Sequence, residues 1–160
     1  MKFTEEALKF LNLGIESELA AYVFYKKALK LIEDPALKEV VEKLAADEKG
    51  HFLTLEDEYD ENVRSECWAP YRDIMEKPGL PEIDEMLQET HVHLLERVKS
   101  MKTRKEFLTV ALMLEKEALD LFTNAAATVT NPDFKKVFEH LASFEQGHVQ
   151  IIERELANAS

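Results

Sequence analysis

The sequence has little of what disulfide-stabilised, secreted or membrane proteins require. Its 160 residues include one cysteine, Cys67, which excludes an internal disulfide and any paired-cysteine metal or redox motif. The amino terminus lacks a basic start followed by an apolar run. No uninterrupted apolar stretch approaches the roughly 18 residues of a membrane helix. We therefore expect a soluble, cytoplasmic protein that has no membrane partner.

Glycine and proline are also scarce, at four and five residues, so the chain has few turn signals and long helices are expected. Basic residues are outnumbered, since 20 Lys and Arg stand against 32 Asp and Glu, for a formal net charge of −12. Without a basic patch, binding to DNA, RNA or an anionic membrane surface is not expected. The hydrophobic content of 46% is enough for one globular domain with a buried core.

Four segments repeat apolar residues at spacings of three and four, which predicts helices that face a common core. The second and fourth segments open with Asp34-Pro35 and Asn131-Pro132, each an N-cap residue followed by proline at the first helical position. Each apolar stripe is interrupted where a polar residue takes an apolar place. The predicted stripe of the third segment is Leu108, Leu112, position 115, Leu119, Phe122, Ala126 and Val129.

The second half of the chain repeats the first at an offset of 97 positions. When residues 15–58 are laid on residues 112–155 without gaps, 14 of 44 positions are identical. Shared helical composition does not readily place a common cap, a common Glu-x-Gly-His and a common second helix at one offset. An internal duplication of a helical hairpin is therefore predicted, and the fold class is an all-α four-helix bundle.

The whole chain, 1–160, is predicted to form a single domain. The first hairpin covers about residues 4–60, a long crossover covers 61–102, and the second hairpin covers 103–157. The crossover begins irregularly, and a further amphipathic helix is predicted within it over residues 82–101.

Six ionisable residues occupy stripe positions at matched places in the two halves. A lone glutamate in a stripe usually lies at the edge of a bundle in water, but six symmetric exceptions point into the core. Four carboxylates there repel one another and lose hydration, and no stripe lysine or arginine pairs with them. Two divalent cations would balance the four charges, and imidazoles would complete the coordination. The candidates are Glu18, Glu48, His51, Glu115, Glu145 and His148.

Glutamate and histidine three residues apart project from one helix face, so both reach one ion, or the glutamate bridges two. Sites rich in carboxylate with a little imidazole suit iron or manganese better than structural zinc. The expected cofactors are two iron ions, with manganese as the alternative, about 3.5–4 Å apart. Gly50 and Gly147 interrupt the two motifs. We interpret them as packing positions, or as places where a helix or small ligand approaches the metals closely.

The stretches ESELAAYVFYKKA with DEKGH, and LEKEALDLF with FEQGH, resemble the ferritin-like superfamily and, within it, the rubrerythrin-related group. The pattern is Glu-x29-Glu-x-x-His, occurring twice, within about residues 4–60 and 103–156. The resemblance implies a role for each candidate ligand. The single-helix carboxylates are Glu18 and Glu115, the bridging pair is Glu48 and Glu145, and the terminal imidazoles are His51 and His148.

Tyr22 lies one turn after Glu18 and is a candidate for hydrogen bonding a ligand carboxylate, although a core position is the commoner one for a tyrosine. Tyr25 and Phe122 are predicted to be core residues. Ala118 stands where rubrerythrins carry an additional glutamate, so the ligand set resembles more closely that of bacterioferritin or of the simpler rubrerythrin-like proteins.

The resemblance also implies a function. Rubrerythrins reduce hydrogen peroxide at such a centre with electrons from an attached rubredoxin domain. This chain has no paired CxxC motifs, so a separate electron donor is implied. We expect a homodimeric rubrerythrin-like di-iron oxidoreductase that reduces peroxide or dioxygen to water. The alternatives are a ferroxidase for iron handling, an enzyme that oxygenates a substrate, and a bundle that holds metal without turnover.

Overall fold

The computed structural model describes residues 5–59, 96 and 100–158, and four long helices account for nearly all of them. The helices are α1 (Glu5–Leu29), α2 (Pro35–Tyr59), α3 (Arg104–Thr128) and α4 (Pro132–Asn158). Helix α1 packs on α2, α3 packs on α4, and α1 also packs on α3, which confirms the predicted four-helix bundle. Within the described part of the chain, no helix joins the length and the apolarity needed to cross a membrane.

Both helix starts predicted from the Asp-Pro and Asn-Pro dipeptides are correct. The Asp34 carboxylate accepts a hydrogen bond from the backbone N–H of Ala36 at 3.1 Å. The Asn131 side chain accepts one from the N–H of Asp133 at 2.8 Å. These bonds satisfy donors of the first turn that have no partner inside the helix. The crossover, with its predicted helix over 82–101, lies almost wholly outside the described residues.

Two apolar clusters fill the bundle, and the duplication relates one to the other. The first core cluster joins the N-terminal halves of α1 and α4 to the C-terminal halves of α2 and α3, and the second joins the opposite halves. The first consists of Ala7, Phe10, Leu11, Ile15, Phe52, Leu55, Ala118, Phe122, Ala125, Ala126, Val129, Phe134, Phe138 and Leu141. The second consists of Ala21, Phe24, Tyr25, Ala28, Leu37, Val41, Leu44, Ala45, Phe107, Leu108, Val110, Ala111 and Ile152. Between the two clusters, the buried interior is lined by polar residues.

The buried face of α3 differs from the predicted stripe. Ala111 and Ala118 are buried, whereas Leu112 and Leu119 are only partly buried. Large apolar residues dominate a periodicity reading, but short side chains let packed helices approach each other. The helix therefore turns its alanines inward next to the glutamate at position 115.

Gly14 is the described glycine that close packing requires. A Cβ atom there would lie 2.9 Å from Cε1 of Phe122 and 3.1 Å from Cδ1 of Leu55, both within the first core cluster. Apart from adjacent residues and the local helix backbone, no described atom lies within 4 Å of a Cβ placed on Gly50 or Gly147. The close approach of a neighbouring helix expected at these two glycines is therefore not found among the described residues.

Two alanine substitutions test this contrast. Gly14→Ala is expected to lower the free energy of unfolding by about 1–2 kcal/mol, because the Phe122 and Leu55 side chains must shift in a full core. Gly147→Ala is expected to raise it by about 0.5–1 kcal/mol, because the helix gains propensity without a clash. Urea unfolding of metal-free protein measures both. Equal effects of the two substitutions would contradict this account.

Candidate metal centre

All six predicted ligands lie between the two core clusters and are buried, with none more than 7% exposed. Each of the four helices passes this level without a break, so the ligands are held on regular backbone. Helices α1 and α3 each contribute one glutamate, and α2 and α4 each contribute a Glu-x-x-His pair. They are Glu18 on α1, Glu48 and His51 on α2, Glu115 on α3, and Glu145 and His148 on α4.

The six residues form two overlapping groups, in each of which one ligand atom per residue lies within 4.8 Å of the others. The Glu18–His51 position consists of Glu18, Glu48, His51 and Glu145, and the Glu115–His148 position consists of Glu48, Glu115, Glu145 and His148. Glu48 and Glu145 belong to both, as bridging carboxylates would. The geometry thus brings every sequence-predicted ligand together, and metal binding by them stays a prediction.

The His51 ring turns its Nδ1 toward the carboxylates of its own position. This atom lies 3.2 Å from Oε1 of Glu145, 3.6 Å from Oε1 of Glu18 and 3.8 Å from Oε2 of Glu48. The His51 and Phe144 rings meet edge to face, with ring centroids 4.9 Å apart. One nitrogen of the imidazole therefore faces the site, and an aromatic ring flanks it.

The His148 ring also points Nδ1 inward. This nitrogen lies 2.8 Å from Oε1 of Glu48, 3.3 Å from Oε2 of Glu145 and 3.4 Å from Oε2 of Glu115. Its Nε2 lies 3.1 Å from Oδ2 of Asp47, a residue at the edge of the site. Sequence reasoning missed Asp47. The available signal was its place four residues before His51 on the ligand-bearing face of α2.

Tyr25 donates its hydroxyl to Oε1 of Glu115 at 2.5 Å and is fully buried. The prediction that it belongs to the core is confirmed, but its hydrogen bond to a candidate ligand was not foreseen. Tyr22, proposed for such a bond, is partly buried and packs against the second core cluster. Tyr25 lies seven residues, or two turns, after Glu18, and this spacing was the usable signal.

The buried polar atoms fit a divalent cation. Among the described residues, both oxygens of Glu18 have no hydrogen-bond partner, and neither does Oε2 of Glu48, Glu115 or Glu145. Unpartnered buried carboxylate oxygens are costly. A divalent cation would satisfy them, and oxygen donors with some imidazole match the preferences of iron and manganese. No other described carboxylate shares either group.

Protons moderate the charge when no cation is present. Burial by itself lowers the pKa of His51, but hydrogen bonds to Glu145 and Glu48 outweigh burial and raise the pKa to about 9. Burial of His148 is likewise outweighed, by hydrogen bonds to Glu115, Glu145 and Glu48, so its pKa is also well above the ordinary value. Both imidazoles are therefore positively charged at neutral pH in the metal-free protein.

The pKa values of Glu115 and Glu145 are shifted in opposite directions. Burial, followed by the charge of Glu48, raises the pKa of Glu115 well above its usual range. Burial also disfavours charge on Glu145, but hydrogen bonds from Glu115, His148 and His51 hold its pKa well below the usual range. Glu115 therefore favours its protonated form, and Glu145 favours its charged form. Cations entering the site must displace such protons.

One comparison with known proteins agrees with the fold. A family model described as a ferritin-like domain matches residues 6–158, a span that contains both hairpins and all six candidate ligands. A search among curated proteins found no match.

The stability of the metal-free protein is expected to fall as the pH rises from about 6.5 to about 9. An unfolded imidazole loses its proton near pH 6.5, whereas the pKa of folded His51 is about 9. The stabilisation linked to this proton is complete below the unfolded pKa and is lost as the pH rises through the folded one. Urea unfolding of chelator-treated protein across this range measures it.

The exposed His140 on α4 supplies a matched control for this prediction. His140→Gln should leave the dependence on pH unchanged, and His51→Gln should weaken it. An unfolding midpoint that stays constant between the two pH values would show that the imidazoles carry no extra proton.

Proposed function

The chain belongs to the ferritin-like family, and on that premise we propose that its buried cluster binds two iron ions in a rubrerythrin-like oxidoreductase. The substrate would be hydrogen peroxide or dioxygen, and electrons would come from a separate donor. The observation that carries the proposal is the pair of overlapping ligand groups that share Glu48 and Glu145. Two carboxylates common to both groups support a dinuclear centre over one isolated ion.

When bound, the two irons would supply the redox couple, which the protein side chains lack. The chain contributes four carboxylates that balance the charge of two divalent ions and two imidazoles that add neutral donors. It also holds the ligands on four rigid helices between two apolar clusters. This environment excludes bulk water and keeps the ligands in place while the charge of the centre changes.

Proton and electron supply follow from the chemistry of the oxidant. Reduction of one peroxide to two waters consumes two electrons and two protons. The sequence holds one cysteine and so offers no built-in rubredoxin-type centre that could return the electrons. A separate reductant is therefore part of the proposal. Tyr25, whose hydroxyl contacts Glu115, is placed to hold that carboxylate still during the cycle.

Ferroxidase activity is the second candidate, and one observation favours it. Ala118 and its counterpart Ala21 are buried, in the first and second core clusters, and no seventh carboxylate joins the two described ligand groups. The additional glutamate that rubrerythrins carry at the Ala118 position is thus not replaced from elsewhere in the described residues. A symmetric six-residue set resembles bacterioferritin, and this supports iron oxidation by dioxygen.

Anaerobic loading with iron(II), followed by stopped-flow mixing with peroxide and with dioxygen in parallel, separates the candidates. Two irons per chain and much faster oxidation by peroxide are expected for the rubrerythrin-like oxidoreductase. Faster oxidation by dioxygen, with iron accumulating beyond two per chain, would favour the ferroxidase. Bound iron that neither oxidant oxidises would overturn both and leave a bundle that only holds metal.

Removing a shared carboxylate should disable the centre. Glu48→Ala and Glu145→Ala are each expected to reduce bound iron from two per chain to one or none at stoichiometric addition, because both ions lose a ligand. Iron analysis after desalting measures the loading. Each variant also takes a hydrogen-bond partner from a buried imidazole, His148 for Glu48→Ala and His51 for Glu145→Ala, so the fold of the metal-free variants is measured alongside the loading.

Glu16→Ala and Glu117→Ala are the matched controls, because both glutamates lie on α1 or α3 two residues from a candidate ligand and are exposed. They should bind two irons as the unchanged protein does. Full loading of the Glu48 and Glu145 variants would refute the assignment of the centre. Circular dichroism of each metal-free variant verifies the fold.

A further inference from the structure

The duplication allows the surroundings of the two metal positions to be compared residue by residue. The ligands match exactly at the offset of 97, since Glu18, Glu48 and His51 have Glu115, Glu145 and His148 as counterparts. Any difference between the two positions must therefore come from residues that are not ligands. Among the described residues, two such differences involve direct contacts to a candidate ligand, and both give the outer partner to the Glu115–His148 position.

The first difference concerns the carboxylate that belongs to one position alone. Tyr25 donates a hydrogen bond to Oε1 of Glu115 at 2.5 Å. The counterpart of Tyr25 is Phe122, which has no hydroxyl to donate. Both oxygens of Glu18 accordingly lack a hydrogen-bond partner among the described residues. Glu115 thus has a hydrogen-bond donor outside the ligand set, and no such donor to Glu18 is found in the part of the chain that the structure describes.

The second difference concerns the imidazoles. Oδ2 of Asp47 lies 3.1 Å from Nε2 of His148, so this carboxylate is positioned to accept a hydrogen bond from Nε2–H while Nδ1 faces the site. The counterpart of Asp47 is Phe144, whose ring meets the His51 ring edge to face with centroids 4.9 Å apart. Nε2 of His51 has no hydrogen-bond partner in the described part of the chain.

Each outer partner prepares a ligand for a cation. A carboxylate on the far nitrogen of a metal-binding histidine fixes its tautomer and ring orientation and raises its basicity. A phenol bonded to one carboxylate oxygen fixes the side-chain rotamer and leaves the other oxygen free to bind. Loss of one such partner typically weakens metal affinity about 10–100-fold.

We propose that the two metal positions are inequivalent, with Tyr25 and Asp47 as positioning residues that make the Glu115–His148 position the tighter one. This position fills first, and the Glu18–His51 position, which has Phe122 and Phe144 as the counterparts of Tyr25 and Asp47, fills second and exchanges its ion more readily. The inference rests on the proposed function only in requiring that the cluster binds two divalent ions.

Anaerobic titration of the metal-free protein with cobalt(II) tests the inference, because cobalt(II) is stable to oxidation there and its visible absorption reports its ligands. Two cobalt ions per chain are expected, with dissociation constants separated by at least about tenfold. Calorimetry measures the two steps independently of colour. Neither readout depends on turnover.

Histidine variants assign the steps to positions. His148→Gln should abolish the tight step and leave one weak ion, whereas His51→Gln should abolish the weak step and leave one tight ion. The opposite result would overturn the assignment. Circular dichroism and urea unfolding of the metal-free variants exclude a loss of fold as the cause.

The outer partners are then removed and exchanged. Tyr25→Phe with Asp47→Asn should weaken the tight step about tenfold or more and leave the weak step unchanged. Phe144→Asp in the unchanged background should strengthen the weak step by giving His51 a carboxylate partner. Glu117→Gln, at an exposed site on α3, is the control and should move neither step.

The failures are distinguishable. Two cobalt ions that bind with one affinity, or a separation that Tyr25→Phe with Asp47→Asn does not change, would refute the inequivalence and leave the dinuclear centre standing. Fewer than two cobalt ions per chain would refute the centre and the inference together.

Discussion

Neutralisation of four carboxylates in the middle of the bundle is the constraint on which this structure depends. The effective cost of burying one charged group is several kcal/mol, while the net stability of a whole domain is about 5–15 kcal/mol. Glu18, Glu48, Glu115 and Glu145 are all essentially inaccessible to solvent. Protons, which are favoured on two imidazoles and on Glu115, or metal ions in their place, reduce the negative charge at this level of the bundle.

The two core clusters stabilise the helices on either side of the buried carboxylates. Each cluster draws on halves of all four helices, so the ligand level is braced from both ends of the bundle. Close packing of rings such as Phe24 on Phe107, whose centroids are 5.1 Å apart, fixes the helices against rotation. Because each ligand projects from a helix fixed in this way, the carboxylates stay convergent although they repel one another. Apolar packing thus provides the free energy that stabilises the fold, and the buried carboxylates and imidazoles provide the candidate metal ligands.

Sequence reasoning predicted the bundle and every candidate ligand because both are visible within single helices. An apolar stripe with a polar interruption, repeated at one offset, is a local pattern. The missed contacts are not local, since Tyr25 reaches a glutamate 90 residues away and Asp47 reaches a histidine 101 residues away. From the apolar spacing alone, a tyrosine in a stripe is predicted to lie in the core, and an aspartate beside a stripe is predicted to lie on the surface. Only the packing of one hairpin on the other brings these groups to their partners. The same limit applies to the buried face of α3, where helix packing selected Ala111 and Ala118 over larger leucines.

The duplication explains why asymmetry would arise outside the ligands. Changing a ligand in one half leaves three carboxylates against two divalent ions, so the balance of charge that permits burial is lost. Changing an outer neighbour, as between Tyr25 and Phe122, alters one hydroxyl in a packed core and leaves that balance intact. A difference between Asp47 and Phe144 is tolerated for another reason, because both side chains reach partly into solvent. A repeated hairpin can therefore keep six matched ligands and still make two metal positions distinct, provided that the differences lie in residues that contact the ligands and are not ligands themselves.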